Sequence, residues 1–261
     1  MSNPCCPMND DTPKLSDEKK KFIERIRAYE EIGMYKEAID ECRKLVRLDI
    51  KDPASFVELG VQFDSKGEKE KAFKCFKYAI KKFPQYFRTY VGLGHWFWWY
   101  KKRDDLAMLC YEKALELNPN DEWALYNIGW LLHYRLGKWK DAIPYFERSY
   151  EACRQEGIVV GRALHGLAWA YYRLKDYKTA WLMFDRILRE QPGYAEEKNA
   201  MWADFGCVNY KLGSYDKSLK LLEEAVIRQP DNKRYNRLRR LVAERASLSG
   251  NKNIKIPSRR I

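Results

Sequence analysis

The 261-residue sequence lacks any run of the ~18 apolar residues needed to span a bilayer. Its greasiest stretch, His95-Trp96-Phe97-Trp98-Trp99-Tyr100, runs into Lys101, Lys102 and Arg103, so no transmembrane helix is expected. Met1 to Pro7 has neither the basic start nor the apolar stretch of a secretory signal, and export is not expected. The seven cysteines (5, 6, 42, 75, 110, 153 and 207) form an odd set without CxxC or His/Cys ligand spacing. That excludes a disulfide framework or zinc site and fits a reducing cytoplasm. Most cysteines fall in expected helices, where a free thiol acts as a small buried apolar group. Cys5 and Cys6 sit in an N-terminal tail, with a metal or a lipid as the alternatives to no role at all. HExxH, GxxxxGK[ST] and GxSxG are all missing, and Gly92-Leu93-Gly94 belongs to a helical pattern rather than to a strand-to-helix loop. With no paired acid and base either, neither an enzyme nor a cofactor is expected.

The chain does have material for a core: 46% hydrophobic and 15% aromatic residues against 33% charged. That composition belongs to a folded chain. The net charge of +12 is unevenly placed, because Asp231 to Ile261 holds ten lysines and arginines and only Asp231 and Glu244 as acids. A basic end can meet acidic protein, nucleic acid or an anionic membrane, or be a solvated face.

Small residues recur at Ala38, Ala72, Ala107, Ala142, Ala180 and Ser218, with gaps of 34, 35, 35, 38 and 38. Four positions after each stands Cys42, Phe76, Tyr111, Phe146, Phe184 or Leu222; seven after each stands Leu45, Ala79, Ala114, Ser149, Ile187 or Ala225. This spacing draws one side of a helix. Pro84, Pro119, Pro192 and Pro230 follow four of the small residues at a constant distance and stop the helix. A second stripe precedes each small residue: Phe56/Leu59/Gly60/Phe63, Tyr90/Leu93/Gly94/Phe97, Leu125/Ile128/Gly129/Leu132, Leu164/Leu167/Ala168/Tyr171 and Trp202/Phe205/Gly206. A glycine among bulky groups lets a neighbouring helix approach closely. Gly33, Gly67, Gly137 and Gly213 suit the left-handed turn between the two helices.

This layout resembles the tetratricopeptide repeat, with its W-x2-L-G-x2-Y, alanine, phenylalanine and proline anchors. The resemblance implies an all-α fold: a right-handed α-α superhelix of about six helix-turn-helix repeats over residues 19–230. The first repeat, on Phe22, Ile26, Tyr29, Gly33, Tyr35 and Ala38, is the most diverged. Repeats three and four carry one extra residue near the end of their first helix, and roughly one extra turn follows repeats four and five. After Pro230, residues 231–247 form a basic capping helix with Leu238, Leu241, Val242 and Ala246 on one stripe. Residues 1–18 and 248–261 read as tails.

In this family the first helix of each pair lines the concave surface. The residues expected to meet a partner are therefore Arg88, His95, Trp98 and Trp99 from repeat three, and Trp123, Tyr126, Asn127, Trp130, His133 and Tyr134 from repeat four. Repeat five adds Arg162, His165, Trp169, Tyr172 and Arg173, and repeat six adds Lys211. Aromatics with polar tips are the composition of binding hot spots. The expected partner is another protein, through a peptide or helical segment, with an acidic one favoured by the arginines. Nucleic acid at the basic end and self-association into a homo-oligomer are the alternatives. Some family members clamp a chaperone's terminal carboxylate with five polar residues; the best frame here offers Val91, His95, Asn127, Arg162 and Gly166, which keeps two of those five roles. His95, His133 and His165 lie one repeat apart, ~10 Å between packed helices, too far to share a metal without distortion.

Overall fold

The computed structural model describes residues 21–22, 24–26, 28–29, 32, 34–48 and 52–248, all helix and turn without a strand. Gly33, Cys5, Cys6 and both expected tails, apart from Leu248, lie outside the described residues. No described helix is long and apolar enough to cross a membrane. Two compact units divide the chain, Met1–Leu131 and Leu132–Ile261.

In the first unit, helical residues among 21–29 precede α1 (Tyr35–Leu48), α2 (Pro53–Ser65), α3 (Lys69–Lys82), α4 (Phe87–Trp96), a π-helical turn (Phe97–Lys101) and α5 (Asp104–Leu117). The helix α6 (Glu122–Tyr134) belongs to this unit as far as Leu131. Each helix packs on its neighbour, α1 on α2, α2 on α3, α3 on α4 and α4 on α5, and α2 also touches α4. That is the stacking the two alternating stripes call for. Phe76, on α3, sits between two glycines: a Cβ on Gly60 of α2 would stand 2.6 Å from its ring, and one on Gly92 of α4 would stand 2.7 Å away. One ring therefore spaces its own partner helix and the first helix of the next repeat. Tyr111 takes the same place on α5, its ring 2.6 Å from where Gly94 would carry a Cβ.

The extra residue of repeat three is absorbed as the π-helical turn, where the Lys102 amide donates to the Phe97 carbonyl. Single π-turns arise in this way inside α-helices. Just before the turn Trp96, the last residue of α4, rather than Phe97 goes into the core, stacks on Phe73 at 4.5 Å and donates its Nε1–H to the Lys69 carbonyl at 2.9 Å. In repeat four the extra residue enlarges the connector after α6, which closes through Gly137 at φ 64°.

The second unit contains α7 (Trp139–Gln155), α8 (Gly161–Arg173), α9 (Tyr177–Glu190), the short α10 (Pro192–Glu197), α11 (Asn199–Lys211), α12 (Tyr215–Arg228) and α13 (Lys233–Leu248). Arg154 stands where four other repeats have their closing proline, so α7 continues for another turn and buries Ala152 and Cys153. After repeat five, Pro192 ends α9 and opens α10 as its first residue, where a missing N–H is harmless. Gly166 on α8 takes the Phe146 ring as Gly92 takes Phe76, with 2.5 Å between the ring and an added Cβ. The capping helix buries Tyr235, Val242, Ala243 and Ala246, with Leu238 packed beside them; Leu241, expected on that stripe, is exposed, because the buried face is phased from Tyr235.

Two substitutions test this packing. Gly94→Ala should lower stability by about 1–3 kcal/mol through overpacking against Tyr111, whereas Gly193→Ala, with nothing within 4 Å of its added Cβ, should leave the urea midpoint nearly unchanged. Tyr111 is fully buried and its hydroxyl has no hydrogen-bond partner among the described residues, while repeats two, four and five use phenylalanine there. Tyr111→Phe should therefore stabilise the chain by about 1 kcal/mol, the cost of one unsatisfied buried hydroxyl, read in the same urea titration.

Candidate functional site

In the second unit α8 places His165, Trp169, Tyr172 and Arg173 on one side at spacings of four, three and one, and α11 places Asp204, Cys207 and Lys211 opposite at three and four. These are the faces left over once Gly166 has taken the Phe146 ring and Gly206 the Leu222 side chain. Asp204 is the hub. Its side chain is only 7% exposed, yet it is the one charged side chain between Met201 and Tyr210. Oδ2 accepts the Trp169 Nε1–H at 3.1 Å and faces His165 Nε2 at 3.2 Å. Oδ1 lies 3.6 Å from Nη2 of Arg234, in the first turn of α13.

His165 has its other nitrogen, Nδ1, 3.2 Å from the Tyr194 hydroxyl. One assignment satisfies the chain of contacts: Nε2–H donates to the carboxylate and Nδ1 accepts the tyrosine O–H. The extra turn α10 makes this geometry. It lays the Tyr194 ring over Gly161, 2.5 Å from where a Cβ would be, and Gln191 Oε1 accepts the Gly161 amide at 2.8 Å. The order Asp204, His165, Tyr194 has the connectivity of a catalytic triad. Tyr194, however, is only 7% exposed and packed on backbone, so the relay joins helices rather than presenting a nucleophile.

Around the hub, burial pushes the Cys207 thiol up to about 11, with the Asp204 charge adding to the shift and Arg234 and Lys211 opposing it. A thiol held protonated is a weak nucleophile. Burial also raises Tyr172 and Tyr235, each further raised by Asp204. Trp169 and Tyr172 meet edge to face at 5.3 Å, and the Arg173 guanidinium lies over Trp139 at 4.5 Å. The result is a buried carboxylate rimmed by aromatic edges and by the exposed cations Arg173, Lys211 and Arg234.

The first unit has a smaller counterpart. Asp64 Oδ2 lies 3.5 Å from His95 Nδ1, and the Tyr100 hydroxyl bonds to the same carboxylate, its pKa raised first by burial and then by Asp64. His95 also meets Trp99 at 5.9 Å; Trp99 is 52% exposed, with Lys102 over it at 5.8 Å. On α6, Trp123, Tyr126 and Trp130 form an edge-to-face ladder at 6.2 and 6.0 Å.

Of the residues expected to face a partner, Trp99, Tyr134, Arg173 and Lys211 are exposed; Arg88, His95, Trp98, Trp123, Tyr126, Arg162, His165, Trp169 and Tyr172 are half-buried. Asn127, Trp130 and His133 are instead buried, a correction with a simple cause: α6 is covered along most of its circumference, and only its last turn emerges. The carboxylate-clamp frame is not assembled either, since Asn127 is buried and Gly166 leaves no room for a side chain against Phe146. Asp204, Tyr194 and Arg234 were missed. The signal for the first was its charge within an apolar helix; the other two come from the insertion and the cap, which the repeat pattern does not index.

Models of the tetratricopeptide repeat match residues 121–189 and residues 87–121. The chain carries tetratricopeptide repeats. By sequence it matches no curated protein. Among solved structures, a chain of the APC/C hetero-tetramer Cut9–Hcn1 is similar with a TM-score of 0.74 at 16% identity, over 86% of this chain and 42% of that one. This tetratricopeptide chain thus spans less than half of that relative's length. PilF of Pseudomonas aeruginosa gives a TM-score of 0.65 at 17% identity, over 77% of this chain and 86% of its own. YrrB, described as a TPR protein with an unusual peptide-binding site, gives 0.52 at 20% identity over 79% and 97%. At such identities the likeness is one of fold.

His133, at 4% exposure, has its pKa lowered from 6.5 to about 4, by burial first and then by Arg173. A histidine depressed in the folded state stabilises the tetratricopeptide fold above its unfolded pKa. That contribution is lost as the unfolded chain takes up the proton first. The urea midpoint should therefore fall between pH 6.5 and pH 4, and His133→Gln should flatten that fall.

Proposed function

We propose that this chain is a protein-interaction scaffold whose second unit takes a segment of a partner protein on the face shared by α8, α11 and the end of α6. The carrying observation is that Trp169, Tyr172 and Tyr134 stay partly or largely exposed on helices whose other sides are fully packed, Tyr134 at 64%. Aromatic groups held in place by a hub such as Asp204 lose little freedom on binding, which is what hot spots require. The peptide-binding site ascribed to the similarly folded YrrB, and the hetero-tetramer containing the Cut9–Hcn1 relative, support a role in holding other chains. Exposed Trp99, beside Lys102, gives the first unit a separate anchor of the same character.

The test is a pull-down from the native organism with crosslinking, comparing the wild type with Tyr134→Ala/Arg173→Ala. Neither residue lies in a packed core, so circular dichroism should be unchanged. The captured set should fall at least about tenfold if two anchors of ordinary strength are removed. Undiminished capture would remove this face from consideration.

A further inference from the structure

The hub carboxylate is saturated on one side only. Oδ2 holds Trp169 and His165, but Oδ1 has Arg234 as its only ion-pair partner among the described residues, at 3.6 Å, beyond hydrogen-bond length. Arg234 itself is 61% exposed, whereas the Asp204 side chain is 7% exposed. A guanidinium so loosely held is a poor match for a carboxylate this deeply buried, because charge-assisted pairs normally close to ~2.7–2.9 Å.

We propose that Asp204 Oδ1 is the receptor for an arginine side chain of the bound partner segment, and that Arg234 is its internal stand-in, displaced when the segment docks. This rests on the reading of the face as a partner site and adds the chemistry of its central subsite. Three observations favour a cation here over an anion. The buried carboxylate acts through a weakly screened medium, while the opposing Arg173 and Lys211 are exposed and screened by water. Trp169 turns its indole edge to the carboxylate, and Tyr172, 5.3 Å from it, adds a second ring beside the site to which a guanidinium is attracted. Arg234 shows that a guanidinium reaches Oδ1 from the solvent side. Its place in the first turn of α13, outside the Tyr235 and Val242 packing, lets it swing away without disturbing the cap.

The experiment titrates the full chain with N-acetyl-arginine methylamide while following the 15N-labelled indole of Trp169, whose Nε1–H donates to the same carboxylate. The resonance is assigned by Trp169→Phe. In the wild type the probe should shift this signal saturably in the millimolar range. Arg234→Ala should tighten binding by about three- to tenfold, because the internal competitor is gone. Asp204→Asn should weaken it about tenfold or more. Arg234→Ala does not touch the core, so it remains informative even if Asp204→Asn fails to fold. Unchanged or weaker binding in Arg234→Ala overturns the proposal, as does an equal response to N-acetyl-glutamate methylamide. Retained partner capture with no arginine response would sink this subsite alone, whereas loss of response to Tyr134→Ala/Arg173→Ala in the pull-down would sink the face.

Discussion

The ring of Phe76 touches helix backbone on two sides, at Gly60 and at Gly92, and that double contact sets the distance between successive repeats. Close packing of this kind tolerates no added methyl on either side, since interiors are already at crystal-like density. Phe146 against Gly166 and Tyr111 against Gly94 repeat one half of the arrangement. With those sides of α2, α4 and α8 committed to rings, and that of α11 to Leu222 at Gly206, the remaining arc is what is left for anything else. The aromatic and charged residues of α8 and α11 stand on that arc.

The second unit uses its departures from the repeat rule to build its hub. A strict repeat would end after Pro192 and begin the next first helix at once. Instead α10 inserts a turn that brings Tyr194 onto Gly161 and its hydroxyl to His165. The capping helix then brings Arg234 to the far oxygen of Asp204. Three elements thus converge on one carboxylate, and the burial of that carboxylate makes each contact matter more than it would at the surface.

How far the sequence could be read depended on whether a feature was periodic. Ala72, Phe76 and Gly60 recur at fixed spacing, so the helix pairs, their turns and their buried stripe were legible residue by residue. The extra residues of repeats three and four were legible as a count. Their resolution was not: the first became a π-turn after the buried Trp96, and the second lengthened a connector, because the choice depends on which side chains find room. Leu241 was likewise assigned to the wrong side of the cap, since a helix without a repeat to phase it can turn about its axis by one position.

The sequence by itself determined the all-α class and the succession of helix pairs in the described region. Both follow from spacing along one chain. Tertiary structure alone decided that Asn127, Trp130 and His133 go inside, that Asp204 joins Trp169 and His165, and that Arg234 stands before its free oxygen. The contacts of Asp204 turn on how α8, α11 and α13 are rotated and set against one another, a geometry arising from packing across long stretches of chain and carried by no local pattern.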